Sequence, residues 1–267
     1  MTEPTSEEVR REVRETYAAV ARSANPSCSP TPEAGSCCGT GSTTDQVSRG
    51  FGYSAEELAA VPEGSNIGLG CGNPTAIAAL APGETVLDLG SGGGFDCFLA
   101  AQQVGPEGRV IGVDMTPEMI EKARANALKV EAANVDFRLG EIEHLPLADA
   151  SVDAVISNCV INLSADKPAV YREIFRVLKP GGRVSISDVV ARDTLPDDLA
   201  RDLKMVAGCV GGAATIAEIT AWLTEIGFAG VSVKVNESFE PAVEGWAPGR
   251  DVGDYVASAT IEARRTS

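Results

Sequence analysis

The residues of this 267-residue sequence that carry the most chemistry are its seven cysteines. Cys71 stands in NIGLGCGNP, framed by Gly68, Gly70 and Gly72 and closed by Pro74. No second cysteine lies two or three residues away, so the spacing is not that of a zinc half-site. The surroundings are not the apolar run of a packing cysteine either. Cys159, in SNCVINL, ends a Val/Ile-rich run, and Cys209 precedes VGG. Three thiols in bare or turn-rich settings, far apart in sequence, meet only if the fold brings them together. Thiolate sulfur offers soft ligation and redox chemistry. Cys37 and Cys38 form a doublet in SCCG, inside a Ser/Thr/Pro/Gly-rich segment over 24–45. That segment is read as a mobile loop, which makes the doublet redox-capable. Cys97, flanked by Phe95 and Phe98, is read as core packing, and Cys28 as incidental.

A second constellation is VLDLGSGGGFDCF, with Asp88 followed by Gly90, Gly92 and Gly94 at alternate positions. This is the strand–turn–helix of a nucleotide-binding fold, in which glycines let a ligand approach the backbone. The dinucleotide fingerprint would need glycine where Phe95 stands. A carboxylate two residues before the turn repels a pyrophosphate and suits the ammonium group of S-adenosylmethionine (SAM). Asp114 ends the next strand, placed to accept both ribose hydroxyls. Met115 beside it and Asn158 before Cys159 are assigned to the same cofactor, and Glu141, Ile142 and Glu143 in LGEIEHLPL to its adenine edge. His144, the one histidine, is read as a loop residue beside the adenine pocket, so acid–base machinery is not evident.

The elements that must position these groups alternate from residue 84 onward. Strands are read at TVLDLG, RVIGVDM, VDFRLG, VDAVISN and GRVSISDVV, with helices after the glycine turn and at PEMIEKARANALKVEAA and KPAVYREIFRVLK. Near-continuous Val/Ile/Leu strands separated by helices predict a parallel sheet covered on both faces. A charged amphipathic helix is expected over 5–23, helical stretches over 196–208 and 215–227, and strands around 231–235 and 255–263. The division expected is an N-terminal helix and cysteine-bearing loop (1–50), a SAM-binding core (51–190) and a C-terminal portion (191–267).

Apolar residues make up 44% and charged residues 22%, ordinary for a globular protein, and the net charge is −16. An acidic chain without a basic stripe argues against nucleic acid and anionic membranes as partners. No run approaches the ~20 apolar residues of a membrane span, and the N-terminus has no apolar signal core. A cytoplasmic protein is expected, a monomer, with its cysteines in a reducing compartment.

NIGLGCGNP, LDLGSGGGFDCF, DAVISNCVINL, EIFRVLKPGGRVSISDVV and GCVGGA together resemble the bacterial arsenite methyltransferases, over roughly residues 37–227. The resemblance implies a Rossmann-like class I SAM methyltransferase: an α/β fold with a mainly parallel seven-stranded sheet, a helical N-terminal extension, and a C-terminal α+β portion completing the arsenic site. It implies methyl transfer from SAM to arsenite or methylarsenite in arsenic detoxification, with arsenic as substrate and no catalytic metal. Cys71, Cys159 and Cys209 match the family's arsenic-binding thiols. Cys37 or Cys38 matches its N-terminal redox cysteine, reopened by a thioredoxin- or glutathione-type reductant. Trivalent arsenic is soft and forms three bonds in a pyramid, for which thiolate is the matching ligand. Glycines around Cys71 are read as giving its loop motion. Two other readings compete: a lipid or quinone methyltransferase with structural cysteines, and a thiol protein that sequesters metal. The first needs an apolar lid and a catalytic base, neither evident over 190–227. The second has no use for the Asp88–Gly94 turn.

Overall fold

The computed structural model describes residues 5–23, 44–239 and 252–266. Helix α1 (Ser6–Arg22) starts in a capping box: the Thr5 side chain accepts from the Glu8 N–H and the Glu8 side chain accepts from the Thr5 N–H. Its buried stripe is Val9, Val13, Ala18 and Val20. The segment read as a mobile loop, with Cys28, Cys37 and Cys38, lies outside the described residues up to 43. Its last two residues open α2 (Thr44–Gly50). Two more short helices, α3 (Ala55–Ala59) and α4 (Pro74–Ile77), lead to β1 (Thr85–Leu89). Then come α5 (Phe95–Val104), β2 (Arg109–Asp114), α6 (Pro117–Lys129), β3 (Val135–Leu139), β4 (Val152–Asn158), α7 (Lys167–Val177) and β5 (Leu178–Ala191). The chain closes with α8 (Asp197–Ala200), α9 (Leu203–Ala207), α10 (Ile216–Ile226), β6 (Phe228–Val235) and β7 (Val256–Arg265).

The strands form one seven-stranded sheet in the order β3-β2-β1-β4-β5-β7-β6. The first five run parallel, and β7 runs antiparallel to both β5 and β6. This is the class I SAM methyltransferase architecture that the sequence predicts. Alternate strand residues face opposite sides. Leu87, Leu89, Ile111 and Val155 meet Val170, Tyr171 and Ile174 of α7 and Leu223 of α10 on one side. Val86, Val110, Ala154 and Ile156 meet Phe98 and Val104 of α5 and Ile120 of α6 on the other. Cys97 lies in that second cluster with 0% exposure, as its reading as a packing residue expects. A third apolar cluster, around Val9 and Val13 of α1, holds Cys71, Cys159 and Cys209.

Three elements differ from their sequence readings, the first being the helix read over 117–133, which ends at Lys129, with Glu131 left-handed at φ 52°. The helix expected to reach residue 179 ends at Val177, and Leu178 is already extended, because Lys179 precedes Pro180 and is steered away from helical backbone. The stretch 196–208 is two short helices: Asp202 accepts from the Lys204 N–H at 2.9 Å and starts α9 afresh. The neighbouring stretch follows its reading closely, with Thr215 capping α10 and Gly227 left-handed at its end.

Candidate functional site

Strand order reverses between β1 and β4, where open α/β sheets bind ligands at the carboxyl ends of their strands. Asp88 pairs in register with Ile156 and Leu89 with Ser157, so the glycine turn and Asn158–Cys159 emerge side by side. An open cavity lies there, bounded by that turn, the end of β2, the loop after β3 and the inner face of α1.

Four carboxylates line it, Glu143 and three aspartates. Asp88 accepts from the Cys97 thiol at 3.2 Å. Asp96 accepts from Tyr53 Oη at 2.6 Å and Asn158 Nδ2 at 3.2 Å. Asp114 accepts from the backbone N–H groups of Thr116 at 2.8 Å and Gly92 at 3.0 Å. Burial raises the three aspartates, Asp96 to about 6. Among the described residues none of them forms an ion pair. Buried carboxylates without a cation favour a ligand that brings one. The sulfonium and ammonium groups of SAM fit that requirement.

Of the residues assigned to the cofactor, Asp88, Gly90, Gly92, Asp114, Met115, Ile142, Glu143 and Asn158 all line the cavity. Glu141 does not. Its carboxylate reaches Arg10 at 3.8 Å and Arg14 at 3.5 Å, tying the loop after β3 to α1. His144 closes the turn back to Glu141, its N–H on the Glu141 carbonyl at 3.1 Å. Among the described residues two buried side-chain polar atoms lack a hydrogen-bond partner, Arg10 Nε and Ser91 Oγ, and both residues line this cavity.

The cysteines of three distant segments converge beside it. Cys71, Cys159 and Cys209 are 0%, 8% and 5% exposed, and Cys159 also lines the cavity. The sulfurs of Cys71 and Cys159 and an Asp188 carboxylate oxygen lie within 4.8 Å of one another. Cys209 lies next to Cys159 and donates its S–H to the Cys159 carbonyl at 3.1 Å. Both Cys159 and Cys209 have left-handed backbone, φ 57° and 64°, which costs a non-glycine residue about 1–2 kcal/mol. Strain of this kind persists where the surroundings over-determine it, and it collects at functional sites.

The bare frame around Cys71 has a packing reason. The Cys71 N–H donates to Asn158 Oδ1 at 2.9 Å, Asn158 Nδ2 donates to the Gly72 carbonyl at 2.9 Å, and Ser258 Oγ donates to the Cys71 carbonyl at 2.7 Å. A Cβ on Gly70 would stand 2.8 Å from Asn158 Nδ2, and one on Gly72 would stand 2.5 Å from Ser187 Oγ. Only glycine permits this clamp.

Burial pushes the Cys71 thiol up to about 11. Cys159 is also raised: the bond from Cys209 lowers it, but Cys71 and burial outweigh that effect. Cys209 is raised by Cys159 and by burial, with Tyr17 of α1 acting the other way. These shifts favour the protonated thiol at all three positions.

Sequence reasoning missed Arg10, Tyr17, Tyr53, Asp96 and Asp188. Four of them announce nothing in the sequence. Asp188 carried one signal, an acid inside the apolar run SISDVV.

The methyltransferase-domain family matches residues 80–227. Along 263 residues the chain is 53% identical to an arsenite methyltransferase of Halobacterium salinarum, covering 97% of this chain and 67% of that one. It is 50% identical over 159 residues to an arsenite methyltransferase of Aquipseudomonas alcaligenes, spanning 45% of that protein's length. The crystal structure of an arsenic (III) S-adenosylmethionine methyltransferase from Chlamydomonas reinhardtii superposes with a TM-score of 0.61 at 33% identity, covering 83% of this chain and 73% of that one. No helix among the described residues is long and apolar enough to cross a membrane. A SAM-type cavity at the switch point, together with identity running along nearly the whole chain, places this protein in the arsenite methyltransferase family of SAM-dependent enzymes.

Proposed function

We propose that the chain methylates trivalent arsenic, arsenite and then methylarsenite, while Cys71, Cys159 and Cys209 hold it. The observation that carries this reading is the meeting of three buried cysteines from residues 71, 159 and 209 at the edge of the cofactor cavity. Bound in that cavity, SAM supplies an electrophilic methyl group on a cationic sulfur. Raised thiol pKa values are no obstacle to loading. Each S–H that replaces an arsenic hydroxyl sends its proton away with that hydroxyl as water, so no free thiolate and no separate base is needed. The ligated arsenic keeps a lone pair on its open side as the nucleophile. The backbone clamp on Cys71 and the left-handed turns at Cys159 and Cys209 hold the sulfurs in place before substrate arrives, which lowers the ordering cost of binding.

In this reading the protein serves arsenic detoxification. Cys37 or Cys38, outside the described residues, pairs with Cys71 as a disulfide that a thioredoxin- or glutathione-type reductant reopens. The direct test is arsenite-dependent consumption of SAM, with methylated arsenic identified as product. SAM turnover indifferent to arsenite, or supported by a quinone or lipid acceptor instead, would defeat the reading.

A further inference from the structure

The thiol cluster contains a fourth side chain for which arsenite methylation has no use. The Asp188 carboxylate lies within 4.8 Å of the sulfurs of both Cys71 and Cys159, and it is 2% exposed. Its Oδ1 accepts from Asn162 Nδ2 at 3.1 Å and from the Val189 N–H at 2.7 Å. Among the described residues its Oδ2 accepts only from the Ile161 N–H, at 2.9 Å, which leaves a lone pair. Cys209 Sγ is adjacent to Cys159, 3.1 Å from its carbonyl oxygen. Lys167 places positive charge near Asp188 and Cys209, which offsets the accumulation of negative ligands.

Two sulfurs and a carboxylate oxygen, with a third sulfur adjacent, form the donor set of a four-coordinate d¹⁰ cation. Around such an ion, donors bound at the usual zinc distances stand about 3.3–3.8 Å apart, inside the spacing found here. Trivalent arsenic differs in both respects: it takes three bonds and prefers sulfur to a hard carboxylate oxygen.

We propose that Cys71, Cys159 and Asp188, with Cys209 as fourth donor, form a site for one soft divalent cation of the zinc and cadmium class, and that this cation and arsenite exclude each other. The exclusion rests on the reading of the three thiols as arsenite ligands; the cation site does not. Each coordinating thiol exchanges its S–H bond for a sulfur–metal bond and releases its proton to water. No oxidation state changes. A cation seated there occupies the position from which the methyl acceptor reacts, so its binding inhibits the enzyme reversibly.

The experiment uses the reduced, metal-free full chain titrated with Co²⁺ as the optical stand-in for Zn²⁺. One equivalent is expected to give a thiolate-to-cobalt charge-transfer band and the intense d–d bands of a tetrahedral ion, both removed by Zn²⁺ and by arsenite. Cys159→Ser abolishes the bands, which separates this site from cysteines elsewhere in the chain. Asp188→Asn weakens Co²⁺ and Zn²⁺ at least tenfold while changing arsenite affinity far less. Cys71→Ser, a second variant that leaves Asp188 and its hydrogen bonds intact, lowers the charge-transfer intensity by the share of one thiolate. Cation binding indifferent to Asp188→Asn in a folded protein, or zinc and arsenite bound at once, overturns the proposal. An Asp188-sensitive cobalt site in a chain that binds no arsenite keeps the cation site and removes the functional reading.

Discussion

Asn158 grips the Cys71 loop by its backbone: Oδ1 accepts the Cys71 N–H and Nδ2 donates to the Gly72 carbonyl, both at 2.9 Å. The next residue, Cys159, carries the sulfur facing Cys71. The same Asn158 amide reaches Asp96 and Tyr53 in the cofactor cavity, so one side chain ties the two halves of the site together. Asn158→Ala leaves two backbone groups and a carboxylate short of partners, and is expected to lower stability by about 1–3 kcal/mol. Arsenite binding should fall more than methylarsenite binding, because the loop released is the one bearing Cys71. Denaturant unfolding and parallel titrations read this; wild-type arsenite affinity would mean that the loop holds its own shape.

Arg10 and Glu141 separate docking of α1 from cofactor binding. The buried Arg10 Nε has no hydrogen-bond partner and faces the SAM cavity, whereas its charge pairs loosely with Glu141 at 3.8 Å. Arg10→Ala is expected to raise KM for SAM about tenfold, the scale of one charged hydrogen bond, with kcat nearly kept. Glu141→Gln, which removes only partly exposed ion pairs to Arg10 and Arg14, should shift it little. Equal effects from both changes would reduce Arg10 to a helix anchor.

Asp96 gives SAM binding a pH dependence. Its pKa in the folded protein is about 6, raised by burial from 3.8. The protonated carboxyl therefore favours the empty folded protein; that contribution is fully present below 3.8 and is lost as pH rises through about 6. A cation in the cavity prefers the ionised form. SAM should bind about tenfold more tightly for each unit by which it lowers this pKa, with the gain appearing as pH rises through about 6 and levelling above. Calorimetry in buffers of different ionisation enthalpy should show proton release on binding near the midpoint, and Asp96→Asn should flatten the profile. A flat wild-type profile would mean that the bound cation does not face Asp96.

The thiols should sort by valence. Cys159→Ser and Cys209→Ser are each expected to abolish methylation of arsenite and of methylarsenite, since either substrate needs two sulfurs. Cys71→Ser, and the paired change Cys37→Ser with Cys38→Ser, should stop arsenite methylation and spare methylarsenite, which has already given one bond to carbon. Product analysis on the two substrates with a thiol reductant present distinguishes these outcomes. Loss of methylarsenite activity in Cys71→Ser would make Cys71 a determinant of the fold or of the SAM pocket.

Much of the fold and half of the site could be read directly. Asp88, the alternate glycines and Asp114 sit within one strand–turn–helix–strand unit, so chain connectivity alone brings them to one cavity wall. The parallel sheet was legible because doubly covered strands must be apolar along their length. Thr215 and Gly227 marked the ends of α10 because caps are local chemistry.

What sequence could not carry is adjacency across elements. That Cys71, Cys159 and Cys209 lie apart along the chain is a sequence fact. That Cys71 and Cys159 meet Asp188 while Cys209 reaches the Cys159 carbonyl depends on strand order and on the left-handed turns at residues 159 and 209. The glycines beside Cys71 read as freedom of motion, yet in the structure they admit Asn158 and Ser187 to contact distance. Arg10 belongs to the cavity only because α1 packs against α6 and α9, and Asp188 joins the sulfurs only because β5 lies beside β4. Sequence fixes the chemistry each side chain can offer; long-range packing, whose partners lie many residues away, decides which of those chemistries share one site.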